Sequence, residues 1–158
     1  MTSSRQIEAN RRNSQLSTGP VTAETIRELE LTPELQGRVL RVSGLSPAHL
    51  KQLIRSAVAL LIPSFAEGYG LPIVEALSLR VPVLCSDIPI FHEVSQDKAR
   101  FRKLTDGIGW RDDIVEMANP DSNLRSTYIE RAKEFVAPTW QAYFRNVDLF
   151  LSSLDSAR

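Results

Sequence analysis

The chain has 158 residues, enough for one domain with a core of its own and no covalent staples. Lysine plus arginine equals aspartate plus glutamate at 19 each, so no net field draws it to nucleic acid or to an anionic membrane. The single cysteine, Cys85, excludes an intramolecular disulfide framework, and no apolar stretch approaches the roughly 20 residues of a membrane helix. A polar N-terminus without an apolar h-region argues against secretion, so the expectation is a soluble, cytoplasmic protein.

Residues 1–22 are rich in Ser, Arg, Asn and Gln and hold the breaker pair Gly19-Pro20. So few apolar groups cannot repay the entropy of ordering, and the segment reads as a flexible polar leader. Its basic pair Arg11-Arg12 reads as a solvated tail. From Ala23 the pattern is regular: a short helix over 23–31, then a β-branched run over 38–42. Ser46 and Pro47 supply an N-cap and a first helical residue for a helix to about 57, with Leu50, Leu53, Ile54 and Ala57 as its buried face. The apolar run 58–62 predicts a strand buried on both faces, as in parallel sheets.

A loop over 64–70 and a helix over 71–79 follow, then a second buried strand over 81–85 and a turn at Ser86-Asp87-Ile88-Pro89. A helical turn at 90–94 and a short strand at 99–104 come next, and the remainder reads as helices over 110–118, 120–136 and 138–154. Alternating strands and helices predict an α/β fold, a Rossmann-like parallel sheet with flanking helices and a helical C-terminus. Residues 23–158 are read as one domain.

The stretch that carries chemistry is Pro63-Ser64-Phe65-Ala66-Glu67-Gly68-Tyr69-Gly70-Leu71-Pro72-Ile73-Val74-Glu75-Ala76-Leu77. It leaves a buried strand, bends through two glycines and starts a helix, which places it at the carboxyl end of a parallel strand, where open α/β sheets bind ligands. The unpaired N–H groups of a helix start favour phosphate, and Gly68 and Gly70 let the backbone approach it. A carboxylate beside diphosphate would repel it, so Glu67 and Glu75 suit sugar hydroxyls instead. The apolar neighbours of Glu75 predict partial burial, which calls for either a ligand or an internal partner.

This phrase resembles the paired-glutamate motif of the family 4 retaining glycosyltransferases, the group 1 glycosyl transferases of GT-B fold. Val81-Pro82-Val83, Ser86-Asp87 and Glu93-Val94 are similar to that family's next strand and turn, and Gly44-Leu45 to its nucleotide-side loop. The resemblance covers roughly residues 39–154. It implies a C-terminal donor domain in which Glu67 contacts the donor sugar as the catalytic residue and Glu75 holds the ribose. By the same resemblance the backbone of Gly68, Tyr69, Gly70 and Leu71 holds the diphosphate or sugar, with Gly44 and Leu45 near the base. The implied substrate is a nucleoside-diphosphate sugar, with hexosyl transfer under retention, no other cofactor and no metal.

Three departures qualify what the resemblance implies. Arg80 stands where the family has glycine, which is tolerable only if that backbone avoids positive φ. No counterpart is found for the basic pair that neutralises the diphosphate, and the N-terminal acceptor domain is missing. The chain is therefore read as a fragment, inactive alone and completed by that domain or a second chain, or as a non-catalytic sugar-nucleotide-binding or scaffold remnant. Of the other polar residues, His92 reads as a satisfied or exposed histidine, Cys85 as an inert core thiol, and Asp112-Asp113 as a solvated helix face or first-turn charge. Tyr143, Phe144, Phe150 and Leu154 read as packing residues.

Overall fold

The computed structural model describes residues 42–155, with Pro33 alone ahead of them. The leader over 1–22, the helix over 23–31 and most of the strand over 38–42 lie outside the described residues. Met1–Leu45 and Ser46–Arg158 form separate compact units, and the elements below all belong to the second.

Helix α1 (Pro47–Ser56) begins as its sequence dictates: Ser46 is extended, and its hydroxyl accepts from the His49 N–H at 3.3 Å. Strands β1 (Leu60–Ile62), β2 (Val83–Ser86) and β3 (Arg100–Arg102) pair in parallel in the order β1-β2-β3. Register sets Ile62 beside Cys85, and Cys85 beside Phe101, so the three carboxyl ends share one edge. Helices α2 (Leu71–Ser78) and α3 (Pro89–Ser95) connect the strands, and α4 (Gly107–Ala118), α5 (Asn123–Lys133) and α6 (Trp140–Asp155) follow. The described residues thus form a Rossmann-like α/β layer structure.

Strand β2 shows why the sheet is covered on both sides. Its side chains alternate with period two. Val83 and Cys85 join Ile73, Ala76, Leu77, Phe91 and Val94 of α2 and α3, while Leu84 meets Met117 of α4 and Tyr128 of α5. All four β2 residues are buried. Strand β1 is shorter than the sequence predicts, and Leu61 is 42% exposed. It pairs only with β2 among the described residues, and the α4–α5 cluster does not reach as far as Leu61. Helix α1 buries Ile54 but leaves Leu50 and Leu53 exposed, because its contact with α2 covers a single row of its apolar face.

Asp113 overturns its reading as a solvated face: it is 4% exposed. Strand alternation sends Phe101 toward α3 and turns Arg100 and Arg102 toward α4, where both guanidinium groups grip the Asp113 carboxylate. Arg100 Nε and Nη2 donate at 2.8 and 3.2 Å, and Arg102 Nε and Nη2 at 2.5 and 2.9 Å. Burial pushes this carboxyl up, but the hydrogen bonds from Arg102 and Arg100 outweigh it and hold it below the usual aspartate value.

Arg80 departs from the expectation in the opposite sense: it does adopt positive φ, at 65°. Its Nη1 donates to the carbonyls of Ala132, Lys133 and Phe135 at 3.0, 2.5 and 3.2 Å, satisfying the end of α5. Gln96, also at positive φ, donates from Nε2 to the Val136 carbonyl at 2.7 Å, and Lys98 pairs with Glu134 at 2.6 Å. These side chains clasp the exit from α5, and the left-handed turns aim two of them.

Arg80→Ala keeps the left-handed residue and loses the clasp, whereas Arg80→Gly loses the clasp but relieves the backbone. Urea denaturation should therefore find both destabilised, with the glycine variant about 1 kcal/mol the more stable of the two. Equal stabilities would show that the left-handed turn carries no strain.

Candidate functional site

The candidate site is the loop 63–70 and the start of α2, at the carboxyl edge of β1. Ser64 turns the chain, its N–H donating to the Ile62 carbonyl at 3.1 Å. Its hydroxyl donates to Glu67 Oε1 at 2.9 Å, which ties the first glutamate back to the strand end. Glu67, Gly68, Tyr69 and Leu71 are exposed, and Phe65 is exposed beside them.

Gly70 is the fixed point of this loop. It is buried, stands at φ 90° and serves as the N-cap residue of α2, its carbonyl accepting from the Ile73 N–H at 2.9 Å. An added Cβ would lie 3.1 and 3.2 Å from Cε1 and Cδ1 of Phe91, itself fully buried. Any L-residue here would carry left-handed strain and press on a core ring that cannot retreat. Gly68, by contrast, has open space around an added Cβ. No side chain caps α2; Pro72 has no N–H and the Ile73 N–H donates to Gly70, so of its first three residues only Leu71 keeps an N–H without an acceptor among the described residues.

Glu75 is exposed, which corrects the expected partial burial. On α2 the inward positions are Ile73, Ala76 and Leu77. At about 100° per residue, position 75 turns away from that face whatever its sequence neighbours are. Glu75 takes no side-chain hydrogen bond among the described residues, so the unit supplies no internal partner for it. Gly44 and Leu45 belong to the first unit, where Gly44 holds φ 68° in open surroundings.

The same sheet edge carries Asp87, just beyond β2. His92 of α3 links it to a second carboxylate: Nε2 lies 2.8 Å from Asp87 Oδ1 and Nδ1 lies 2.7 Å from Asp97 Oδ1. The ring stacks on Phe101 at 3.8 Å. Sequence reading took His92 alone; the signal for the triad was aspartate five residues to either side, but only a helix of α3's length brings all three together. Ser64, three residues before Glu67, was likewise a readable partner. Cys85 is buried, and desolvation, then the Asp87 charge, pushes its thiol up to about 12, which matches the inert reading.

Hydrogen bonds to Asp87 and then Asp97 raise the His92 pKa above its ordinary 6.5. A raised folded-state value stabilises below the unfolded pKa, and the gain is lost as pH climbs through the folded value. The stability gap between the wild type and His92→Gln should therefore be wider near pH 5.5 than near pH 8.5, as read by thermal melts (roughly one unit below and two above the free value). A gap that widens with rising pH would contradict the arrangement.

Comparison with known proteins follows the same residues. The family model described as "Glycosyl transferases group 1" matches residues 19–107, more than half of the chain. The O-antigen chain mannosyltransferase RfbU of Salmonella typhimurium is 34% identical over 111 residues, 69% of this chain and 31% of that protein. The serotype-specific mannosyltransferase WbdA of Escherichia coli is 36% identical over 67 residues, 42% of this chain and 8% of that protein. O-antigen chain mannosyltransferase B of Escherichia coli is 48% identical over 48 residues, 30% of this chain and 13% of that protein. The chain thus spans at most about a third of the length of these curated relatives.

Proposed function

The chain belongs to the glycosyl transferases group 1 family, and on that premise we propose that it is the donor-binding portion of a hexosyltransferase of GT-B fold. What carries the reading is the loop held by Gly70, which follows a strand's carboxyl end and leads into a helix start that no side chain caps, with Glu75 exposed one turn further on. The Leu71 N–H and the backbone of the glycine loop would receive the diphosphate of a nucleoside-diphosphate sugar. Glu75 would accept from the ribose hydroxyls, and Glu67, steadied by Ser64, would contact the sugar at the reacting end. Tyr69, Leu71 and Gly68 would line the donor. The relatives' names make a mannosyl donor the first to test.

The chemistry asked of this portion is positioning and electrostatic support of the diphosphate as it leaves, with retention at the anomeric carbon as the family pattern implies. The proposal names no metal and no further cofactor. Arg100 and Arg102 do not stand in for the missing basic pair, since both are spent on Asp113. We therefore place transfer activity in a larger assembly in which an acceptor-binding portion, in the same or a second chain, closes over the donor. A cytoplasmic setting fits the reduced Cys85, and no helix among the described residues is long and apolar enough to cross a membrane. A second reading, a sugar-nucleotide-binding or scaffold remnant without catalysis, is favoured by one observation, that Arg100 and Arg102 are both engaged by Asp113 and do not serve the diphosphate.

Calorimetry with UDP, GDP and ADP separates the possibilities. One of them should bind weakly, and Glu75→Ala should lose about 1.5–3 kcal/mol, roughly 10- to 100-fold in affinity, with little change in melting temperature. Glu67→Ala should be silent for folding. The same preparation should transfer no sugar alone and gain transfer when the upstream portion of a relative is supplied. Unchanged affinity with a sharply lower melting temperature in Glu75→Ala would reject its ribose role; silence with the upstream portion present would favour the remnant.

A further inference from the structure

Helix α3 lies beneath the candidate loop and has little of its own to hold it in place. It is seven residues long, no side chain caps its start, and it runs out into two left-handed residues, Gln96 at φ 54° and Asp97 at φ 56°. Helices this short do not stand alone in water, and residues other than glycine resist the left-handed region. Phe91 and Val94 of this helix nevertheless form the floor under Gly70, where an added Cβ would meet Phe91 Cε1 at 3.1 Å and Val94 Cγ2 at 3.6 Å. Whatever fixes α3 therefore also fixes the loop.

On its outer side the helix is fixed by His92. Asp87 lies ahead of α3 and Asp97 behind it, and the ring ties both, Nε2 to Asp87 Oδ1 at 2.8 Å and Nδ1 to Asp97 Oδ1 at 2.7 Å. The backbone repeats the second tie, with the Asp97 N–H donating to the His92 carbonyl at 3.2 Å. Asp87 is itself anchored to the sheet, its N–H donating to the Arg102 carbonyl at 2.9 Å. Stacking on Phe101 holds the ring against β3. With both nitrogens facing carboxylates, the ring has no position left for acid or base chemistry. Only the imidazolium can donate to both aspartates; a neutral ring has one N–H and turns a lone pair on the other carboxylate.

The other ionisable groups on the surrounding elements leave the bridge to these two aspartates. Arg100 and Arg102 of β3 are turned to Asp113, Lys98 is paired with Glu134, and Lys103 is exposed past the strand end. Cys85 of β2 stays a neutral thiol, and Glu93 of α3, Glu67 of the loop and Glu75 of α2 are exposed carboxylates. We propose that His92 is a positioning residue of the candidate site: its protonated ring, bridged between Asp87 and Asp97, clamps α3 so that Phe91 and Val94 hold Gly70, and neutralising the ring loosens the loop. The bridge is complete at low pH and is lost as pH rises through the titration of the ring. The loss of donor affinity that follows rests on the donor-binding reading; the clamp itself does not.

Nuclear magnetic resonance of the full chain without ligand, from about pH 6 to about pH 9, tests the clamp. The His92 ring and the Gly70 amide should titrate with one midpoint above the ordinary 6.5. The Ile73 N–H closes the first turn of α2 on the Gly70 carbonyl. Its protection from hydrogen exchange, corrected for the intrinsic pH dependence, should fall at least about threefold through that midpoint while amides of α4 keep theirs. In His92→Gln that protection should be low at every pH, and Asp97→Asn, which suits a left-handed position, should move the midpoint down. A ring that titrates while Ile73 protection stays constant would overturn the proposal, and so would an unchanged pH profile in His92→Gln or a midpoint indifferent to Asp97→Asn. Whichever of UDP, GDP and ADP binds should lose at least about threefold more affinity over this range in the wild type than in His92→Gln. Binding of none at any pH would reject the donor reading and leave the clamp to be decided by Ile73.

Discussion

Beneath the candidate loop, the ring of Phe91 occupies the space that a side chain at position 70 would need. Glycine there lets the chain turn at φ 90° directly over the core, so that α2 starts hard against the end of β1. The rest of the site depends on that contact. It aims the helix start at the sheet edge, commits Ile73, Ala76 and Leu77 to the core, and leaves Glu75 facing water. The loop between Ser64 and Gly70 then has little freedom in where it presents Glu67, since both of its ends are tied. A loop of this kind is preorganised by packing at one end and by its own hydrogen bond at the other.

The core that holds Phe91 is in turn secured from two directions. Strand β2 is sandwiched between apolar clusters, and β3 contributes its two arginines to a carboxylate beneath α4 instead of more apolar burial. Removing Asp113 would leave Arg100 without its carboxylate and Arg102 with Asp106 alone, 3.4 Å away, in a half-buried layer, so this ion group behaves as a structural rivet. At the amino ends of the strands, the clasp from Arg80, Gln96 and Lys98 holds the exit from α5. Apart from Gly70, the sheet therefore keeps its left-handed backbone at the amino end of the strands.

Much of this was legible in the chain, because the signals were local. Ser46-Pro47 announced α1, the apolar run 81–85 announced a buried strand, and the glycine-rich phrase after residue 63 marked the family. Two of the failures were of one kind, in which partners come from elsewhere in the chain. Asp113 beside Asp112 looks solvated until strand alternation delivers Arg100 and Arg102 to it. Arg80 looks intolerable at positive φ until three carbonyls from residues 132–135 are seen to receive its guanidinium. Glu75 among Val74, Ala76 and Leu77 looks buried only if sequence neighbours are mistaken for helix neighbours.

The central claim is that the fixed loop and helix start receive a nucleoside diphosphate. Nuclear magnetic resonance of the full chain, titrated with that ligand to millimolar concentration, addresses it residue by residue. The account predicts that amide resonances from Glu67 through Glu75 shift together in a saturable manner, while those of α4 and the Asp113 ion group stay in place. Shifts scattered over the surface, or none in that loop, would contradict it.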